Sequence, residues 1–443
     1  MRLLVLDHFF QQDIDALRAA GGDDFEIRTL DYNDLRREAM RVFPDSFASG
    51  LEAPNEPRYD NLRSRWSRVL RDIIRSEYRR WSFDALIVPS DIFFYVRDAP
   101  LICHRLGIPF IVIQKETTIS NHTMRVHSKE VERWAPPIAD WMTCCSERHK
   151  EFWLRCGMNA DLIEVTGQPR FDYYRQPERW PARADDMPTV LFFSYEFSAY
   201  YPTAPGESVG HETWRDLHLE TESQLWKLAS KGWRVMIKPH PQQDFANERR
   251  RMEETIRPLP RGSVQFIPHD TDTREAITSA DVVVGFQTTA LIEALTIGRP
   301  VIYTGWDTEA GRVAGDLIPF PDWEGPVIVV KDRENLAAAI ELANGEHLSE
   351  RDTRAAEKVI QNYLGPVDGR AAERALLSVA RFTAEFEAGV TAHTKAERSA
   401  LGAEARWKHA SLPRAMRRLL GGAARLADGN THSFRALRKP FRR

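Results

Sequence analysis

The chain has 443 residues, a formal net charge of −3, 42% hydrophobic residues and 28% charged residues. That length exceeds one ordinary core and predicts two domains with an appendage, while no apolar run approaches the roughly 18 residues that would span a bilayer. The small net charge hides an asymmetry: residues 393–443 hold 13 Lys/Arg against 3 Asp/Glu, leaving the remainder near −13, so the tail is a separate basic object on an acidic body.

In chain order, Met1 to Leu6 meets Asp7-His8 at once and reads as a first core strand rather than a signal peptide, which makes the cytoplasm the expected compartment. A helix over Gln12–Ala20, stopped by Gly21-Gly22, and a strand over Phe25–Leu30 begin the alternation of a doubly wound sheet. Asn61–Trp81 is an amphipathic helix with Leu62, Trp66, Val69, Leu70, Ile73 and Ile74 on one stripe and Arg63, Arg68, Arg71, Arg75 and Arg79 off it. Those arginines read as a solvated face or as a surface for an anionic acceptor or lipid headgroup. Short strands at Ala85–Pro89 and Pro109–Ile113 end in polar residues, Ser90-Asp91 and Gln114-Lys115-Glu116, and loops at carboxyl ends of parallel strands line ligand crevices. A strand over Ala139–Cys145, a helix capped by Ser146 and a strand over Leu162–Val165 lead to Gly167-Gln168-Pro169-Arg170-Phe171-Asp172. The four cysteines, Cys103, Cys144, Cys145 and Cys156, have neither metal-ligand nor disulfide-framework spacing and are expected to be buried thiols.

A proline-marked stretch over Pro177–Pro188 is the expected linker. Four segments follow from this reading: a first Rossmann-like domain over 1–185 on the acceptor side, a second over 186–370 on the donor side, a closing helix over 371–391 and a basic tail over 392–443. The second domain opens with a strand over Thr189–Phe193, a long loop with Tyr195, Tyr200 and Tyr201, and a helix to Ser230. From Val235 a strand runs into Lys238-Pro239-His240-Pro241, and the strand Val282-Val283-Val284 turns through Gly285-Phe286-Gln287-Thr288-Thr289 into a helix ending at Gly298. The helix start, the two threonine hydroxyls, and Lys238 with His240 from a neighbouring strand together predict a nucleotide-phosphate site. A core histidine fixed by two prolines beside an ordinary capped helix is the alternative. In the tail, Leu412, Met416, Leu419, Leu420 and Leu426 among Arg414, Arg417, Arg418 and Arg425 suit a helix lying on an anionic surface.

The elements Gly167–Asp172, Lys238–Pro241, Ser279-Ala280-Asp281 through Gln287–Leu295, Gly298-Arg299-Pro300 and Asp368-Gly369-Arg370 with Arg374, in this order, resemble the GT-B transferases of bacterial surface polysaccharides. The CDP-glycerol glycerophosphotransferases and capsule Kdo transferases are nearest in pattern. The resemblance covers residues from about 160 to 380; Thr288-Thr289 departs from the more usual serine pair, which bears on the donor's identity. It implies two doubly wound α/β domains facing across a cleft, a cytidine nucleotide donor used as substrate with no further cofactor, and a glycan or lipid-linked acceptor, while the basic tail predicts peripheral contact with the inner membrane face.

The resemblance implies that His240, Lys238, Gln287, Thr288 and Thr289 hold the nucleotide phosphate as it gains charge, with preorganised donors worth about 10²–10³ in rate each. Glu293 would accept ribose hydroxyls or serve as a structural carboxylate, and Arg170 would reach phosphate from the hinge or pair with Asp172. An inverting reaction needs a base from the first domain, where Asp7, His8, Asp91 and Glu116 end predicted strands; Glu116 and Asp91 rank first, and a retaining reaction would need none. No Asp-x-Asp motif stands where a GT-A enzyme would need one, which predicts metal independence. Two rivals remain, a UDP-sugar 2-epimerase on the same plan and a non-catalytic GT-B scaffold; an acidic body without a recognition motif argues against nucleic acid.

Overall fold

The computed structural model describes residues 1–44, 50–52, 54, 56–115, 119–182, 185–203, 212–240, 243–268, 271–346, 348–396, 398–399 and 401. Two all-parallel six-stranded sheets carry them. The first contains β1 (Arg2–Leu6), β2 (Glu26–Leu30), β3 (Ala85–Val88), β4 (Phe110–Ile113), β5 (Trp141–Cys144) and β6 (Ile163–Val165), in the order β2-β1-β3-β4-β5-β6. The second contains β7 (Thr189–Phe193), β8 (Arg234–Lys238), β9 (Val264–Phe266), β10 (Val282–Gly285), β11 (Val301–Thr304) and β12 (Val327–Val330), in the order β12-β11-β10-β7-β8-β9. This is the two-domain doubly wound plan expected from the alternating pattern. The sequence reading passed over β9, whose three residues are flanked by turns and whose central Gln265 is exposed, so it lacks a buried strand's apolar run.

The first sheet is buried on both faces, and alternation along each strand divides its core. Leu3, Val5, Ala85, Ile87, Ile111 and Ile113 face α1 (Gln11–Gly21) and a helix from the far end of the chain, Ala371–Gly389. Leu4, Leu6, Leu86, Val88, Phe110 and Val112 face the opposite layer, which includes α3 (Asp60–Arg80) and α4 (Ala99–Arg105). On α3 the stripe Trp66, Leu70, Ile74 and Tyr78 packs inward at four-residue spacing. The late helix thus lies on the first sheet, and Trp141 Nε1 donates to Ser378 Oγ on it at 2.8 Å.

The chain crosses between halves twice, over 166–175 and again over 364–371. Asp172 caps the helix that follows the second crossing, accepting from Ala371 N at 2.8 Å and Ala372 N at 2.9 Å. Gly365 has φ +77°, and a Cβ there would stand 1.7 Å from the Cys145 carbonyl oxygen. Gly365→Ala is therefore expected to cost about 2 kcal/mol or more, read as a lowered denaturant midpoint; an unchanged midpoint would show that this crossing is not tightly packed.

All four cysteines are free and buried. Cys145 Sγ lies 2.7 Å from His149 Nδ1 beside these crossings. Burial, aided by Arg170 and Arg148, holds His149 down at about 3, while burial pushes Cys145 up to about 12, so both are neutral and the thiol donates to the ring. The folded value lies below the ordinary 6.5. Stability from this neutral ring is therefore present above 6.5 and is lost as pH falls toward 3, at up to about 1.4 kcal/mol per pH unit. His149→Gln should flatten the pH dependence of the denaturant midpoint across that window; an unaltered slope would contradict the burial of the ring.

Candidate active site

In each sheet the order reverses once, between β1 and β3 and between β7 and β10, and ligands of open parallel sheets sit outside the carboxyl ends at such points. In the second sheet, β7 lies between β8 and β10. The Lys238–His240 turn and the Gln287–Thr289 turn therefore leave the same sheet edge from strands one apart, roughly 10 Å at strand level, rather than from neighbouring strands. The end of β7 fills the gap.

Gln243, unnoticed in the sequence, braces this arrangement. It is buried, its Oε1 accepts from His240 N at 2.7 Å, and its Nε2 donates to Ser194 Oγ beyond β7 at 3.2 Å. The His240 ring is half-buried, with Tyr200 edge-on at 6.1 Å between centroids. Lys238 points elsewhere: its Nζ donates to Thr271 O at 2.8 Å and to Pro268 O at 3.4 Å, so the ammonium ties the end of β8 to residues after β9.

Gly285 ends β10 because the chain turns sharply; a Cβ there would meet Thr288 Cγ2 at 3.1 Å. Thr288 caps α10 (Thr289–Leu295), accepting from Ala290 N at 3.4 Å, and both threonines are half-buried. Gln287 is not available to a nucleotide through its side chain. Its amide donates to Tyr303 Oη at 3.1 Å and Ile318 O at 3.0 Å and accepts from Ile318 N at 2.8 Å, which spends all three groups inside the core and accounts for a left-handed φ of +38°.

Glu293, one turn into α10, accepts from Tyr174 Oη at 2.7 Å and is 7% exposed. Burial raises its carboxyl above the usual range against the opposing pull of Arg170 and Tyr174. Arg170 pairs with Asp13, at 3.1 Å, and not with Asp172, which is occupied at the helix cap. Asp13 also accepts from Gln168 Nε2 at 2.6 Å and Arg170 N at 3.0 Å. An acid on the buried face of α1, beside Ile14 and Leu17, was the available sign of this hinge partner. Arg274 joins the same junction, donating to Arg170 O at 2.7 Å.

On the first-domain side, Asp91 is fully buried. Its Oδ2 accepts from Ile138 N at 2.7 Å and Ala139 N at 3.0 Å, and burial raises its carboxyl despite them. It joins β3 to the segment before β5 and has no surface to offer an acceptor hydroxyl. Asp7 accepts from Tyr32 N at 2.7 Å. His8 is buried and held down at about 3 by desolvation, with Lys115 and Arg36 adding to it, so its neutral ring is a very weak base. Glu116 lies outside the described residues. Among the described residues one group has metal-ligand geometry, His218, Glu222 and Glu248, but the Arg251 guanidinium already binds both carboxylates, at 2.8 Å to each.

Two doubly wound domains, each with one reversal of strand order, define the GT-B fold. Residues 107–381 match the profile of the CDP-Glycerol:Poly(glycerophosphate) glycerophosphotransferase family. The match spans well over half of the chain, and the chain belongs to that family, a transferase that draws on a CDP-activated donor. Among curated proteins none matches. Similar solved structures include the UDP-GlcNAc 2-epimerase of Neisseria meningitidis, at TM-score 0.51 and 14% identity over 86% of this chain and 100% of that one. A putative UDP-N-acetylglucosamine 2-epimerase of Listeria monocytogenes matches at TM-score 0.52 and 16% identity over 87% and 97%. The wall teichoic acid polymerase TagF also matches, at TM-score 0.49 and 11% identity over 86% and 89%. The epimerase likenesses, at such identities, show the fold alone.

Proposed function

We propose that the chain transfers glycerophosphate from CDP-glycerol to a hydroxyl of a surface-glycan acceptor. The acceptor oxygen forms a bond to the phosphorus of the transferred group, the bond from that phosphorus to the CMP phosphate breaks, the hydroxyl proton leaves to a base, and CMP departs. The observation that carries the reading is the family match together with two turns, Lys238–His240 and Gly285–Thr289, at one sheet edge beside a point of strand reversal. His240 and the Thr288 and Thr289 hydroxyls would face the departing phosphate. Lys238, Gln287 and Glu293 support the site's walls through the contacts above. Glu116, which follows β4 in sequence and lies outside the described residues, is the carboxylate to test as base.

Titration with CMP, CDP, UDP and GDP tests the donor class, with the cytidine nucleotides expected to bind tightest. Preference for UDP, with turnover of a UDP-sugar in the absence of any acceptor, would replace this reading with an epimerase. Nothing bound from the panel would favour a non-catalytic scaffold.

No helix among the described residues is long and apolar enough to cross a membrane. The basic tail from 402 onward lies outside the described residues, while Arg398 pairs with Glu387 at 2.6 Å and Leu401 packs into the first core. A deletion should therefore begin after Leu401. Removing 402–443 is expected to weaken sedimentation with anionic vesicles at least tenfold and to leave CDP binding intact. Unchanged sedimentation would refute a membrane role for the tail.

A further inference from the structure

The reversal point of the first sheet holds a cavity of about 390 Å³ that the donor chemistry does not use. It is built almost wholly from residues before position 107, outside the family match. That volume is within the range of small-molecule sites, roughly 300–1,000 Å³. One wall is a helix, α2 (Tyr32–Met40), whose Tyr32, Arg36 and Met40 fall at i, i+4 and i+8 on the face toward the cavity, while Leu35 and Ala39 of the same helix pack into the core. The other walls are the residues after β1 and β3, His8 and Ile92 to Tyr95, with Phe43 and Trp66.

The hydrogen-bonding capacity of this lining is largely spent. Trp66 Nε1 donates to Tyr95 O at 3.0 Å, Tyr95 Oη meets His8 Nδ1 at 2.9 Å, and His8 stacks on Tyr32 at 3.7 Å between centroids. Arg63 is bound to Asp60 and to Glu56 O, and Arg97 to Asp91 O at 3.1 Å. A sugar or polyol would bring many hydroxyls to walls with few polar atoms left to meet them, whereas an apolar chain needs none. Charge favours an anion: Arg36, Arg63 and Arg97 reach the lining, where Asp98 is the one carboxylate and Asp60 pairs with Arg63. Arg36 is exposed and has no salt bridge among the described residues. Beyond it the positive field continues along α3, which carries 7 arginines against 3 acids, with Arg65 and Arg68 exposed.

We propose that the first domain binds an anionic amphiphile, an apolar chain with a phosphate-type head, the chain in this cavity and the head on Arg36. The inference is independent of the donor reading, since its test contains no nucleotide. Calorimetry on the full chain would compare octyl phosphate, octanol, inorganic phosphate and glycerol 3-phosphate. Octyl phosphate is expected to bind at least tenfold tighter than the other three. Met40→Trp, which fills the cavity, should lower its affinity at least tenfold, and the exposed Arg36→Ala should bring it to the level of octanol, with the melting temperature and CDP affinity of both variants unchanged. Equal binding of inorganic phosphate or glycerol 3-phosphate would reduce the site to an anion patch and overturn the proposal. So would octyl phosphate binding that survives Met40→Trp, or that is absent from the wild-type chain.

Discussion

Replacing His240 with alanine is expected to lower CDP affinity or turnover at least tenfold, about 1.4 kcal/mol, without moving the melting temperature. The position explains both halves of that expectation. His240 follows β8 at the sheet edge, and its main-chain N–H, not its ring, carries the structural bond to Gln243. Alanine preserves that bond, so the turn should survive. The half-buried ring is what is lost, and with it a donor placed where a nucleotide phosphate would gain charge. Gln243→Ala makes the complementary test: it removes the brace to Ser194 while leaving the imidazole in place, so it should weaken binding by loosening position, and less than His240→Ala does. A binding isotherm for His240→Ala that overlays the wild type, together with unchanged turnover, would remove His240 from the site while leaving the family assignment intact.

Asp13→Ala is expected to destabilise the chain by about 3–5 kcal/mol, because it leaves a largely buried guanidinium without its counter-charge. Asp13 is 1% exposed and receives Gln168 Nε2, Arg170 N and the Arg170 guanidinium. These three donors belong to the hinge segment between the sheets, so the loss should loosen one sheet against the other as well as lower the denaturant midpoint. Asp13→Asn keeps an acceptor oxygen but not the charge and should cost less. A cost below about 1 kcal/mol for the alanine variant would mean that water replaces the carboxylate at the hinge, and that Arg170 is better solvated than its 18% side-chain exposure suggests.

The candidate residues divide by what their side chains bond to. His240, Thr288 and Thr289 sit at the sheet edge named from sequence, half-buried. Lys238, Gln287, Glu293, Arg170 and Asp91 were chosen for chemistry that each is capable of, yet they meet the loop carbonyls, Ile318, Tyr174, Asp13 and the Ile138–Ala139 amides respectively. Each of those five has a partner more than 30 positions away in sequence, and no local pattern encodes them. Gln243 and Asp13 escaped notice for the converse reason: a glutamine after a turn and an acid on a short helix become informative only when the distant group they hold is known.

What the sequence determined alone is the alternation of strand and helix, the apolar strands that require cover on both faces, the turn chemistry at Gly285 and His240, and the ordered motifs of the family. These follow from local periodicity and short-range backbone sterics, which a linear chain displays. Tertiary structure alone decided that β7 separates the two phosphate turns, that a helix near the end of the chain covers the first sheet, and which charged side chains answer one another at the hinge. Each of those depends on strand order and on pairing between distant segments, and burial then fixes whether a polar group meets solvent, a ligand or another part of the same chain.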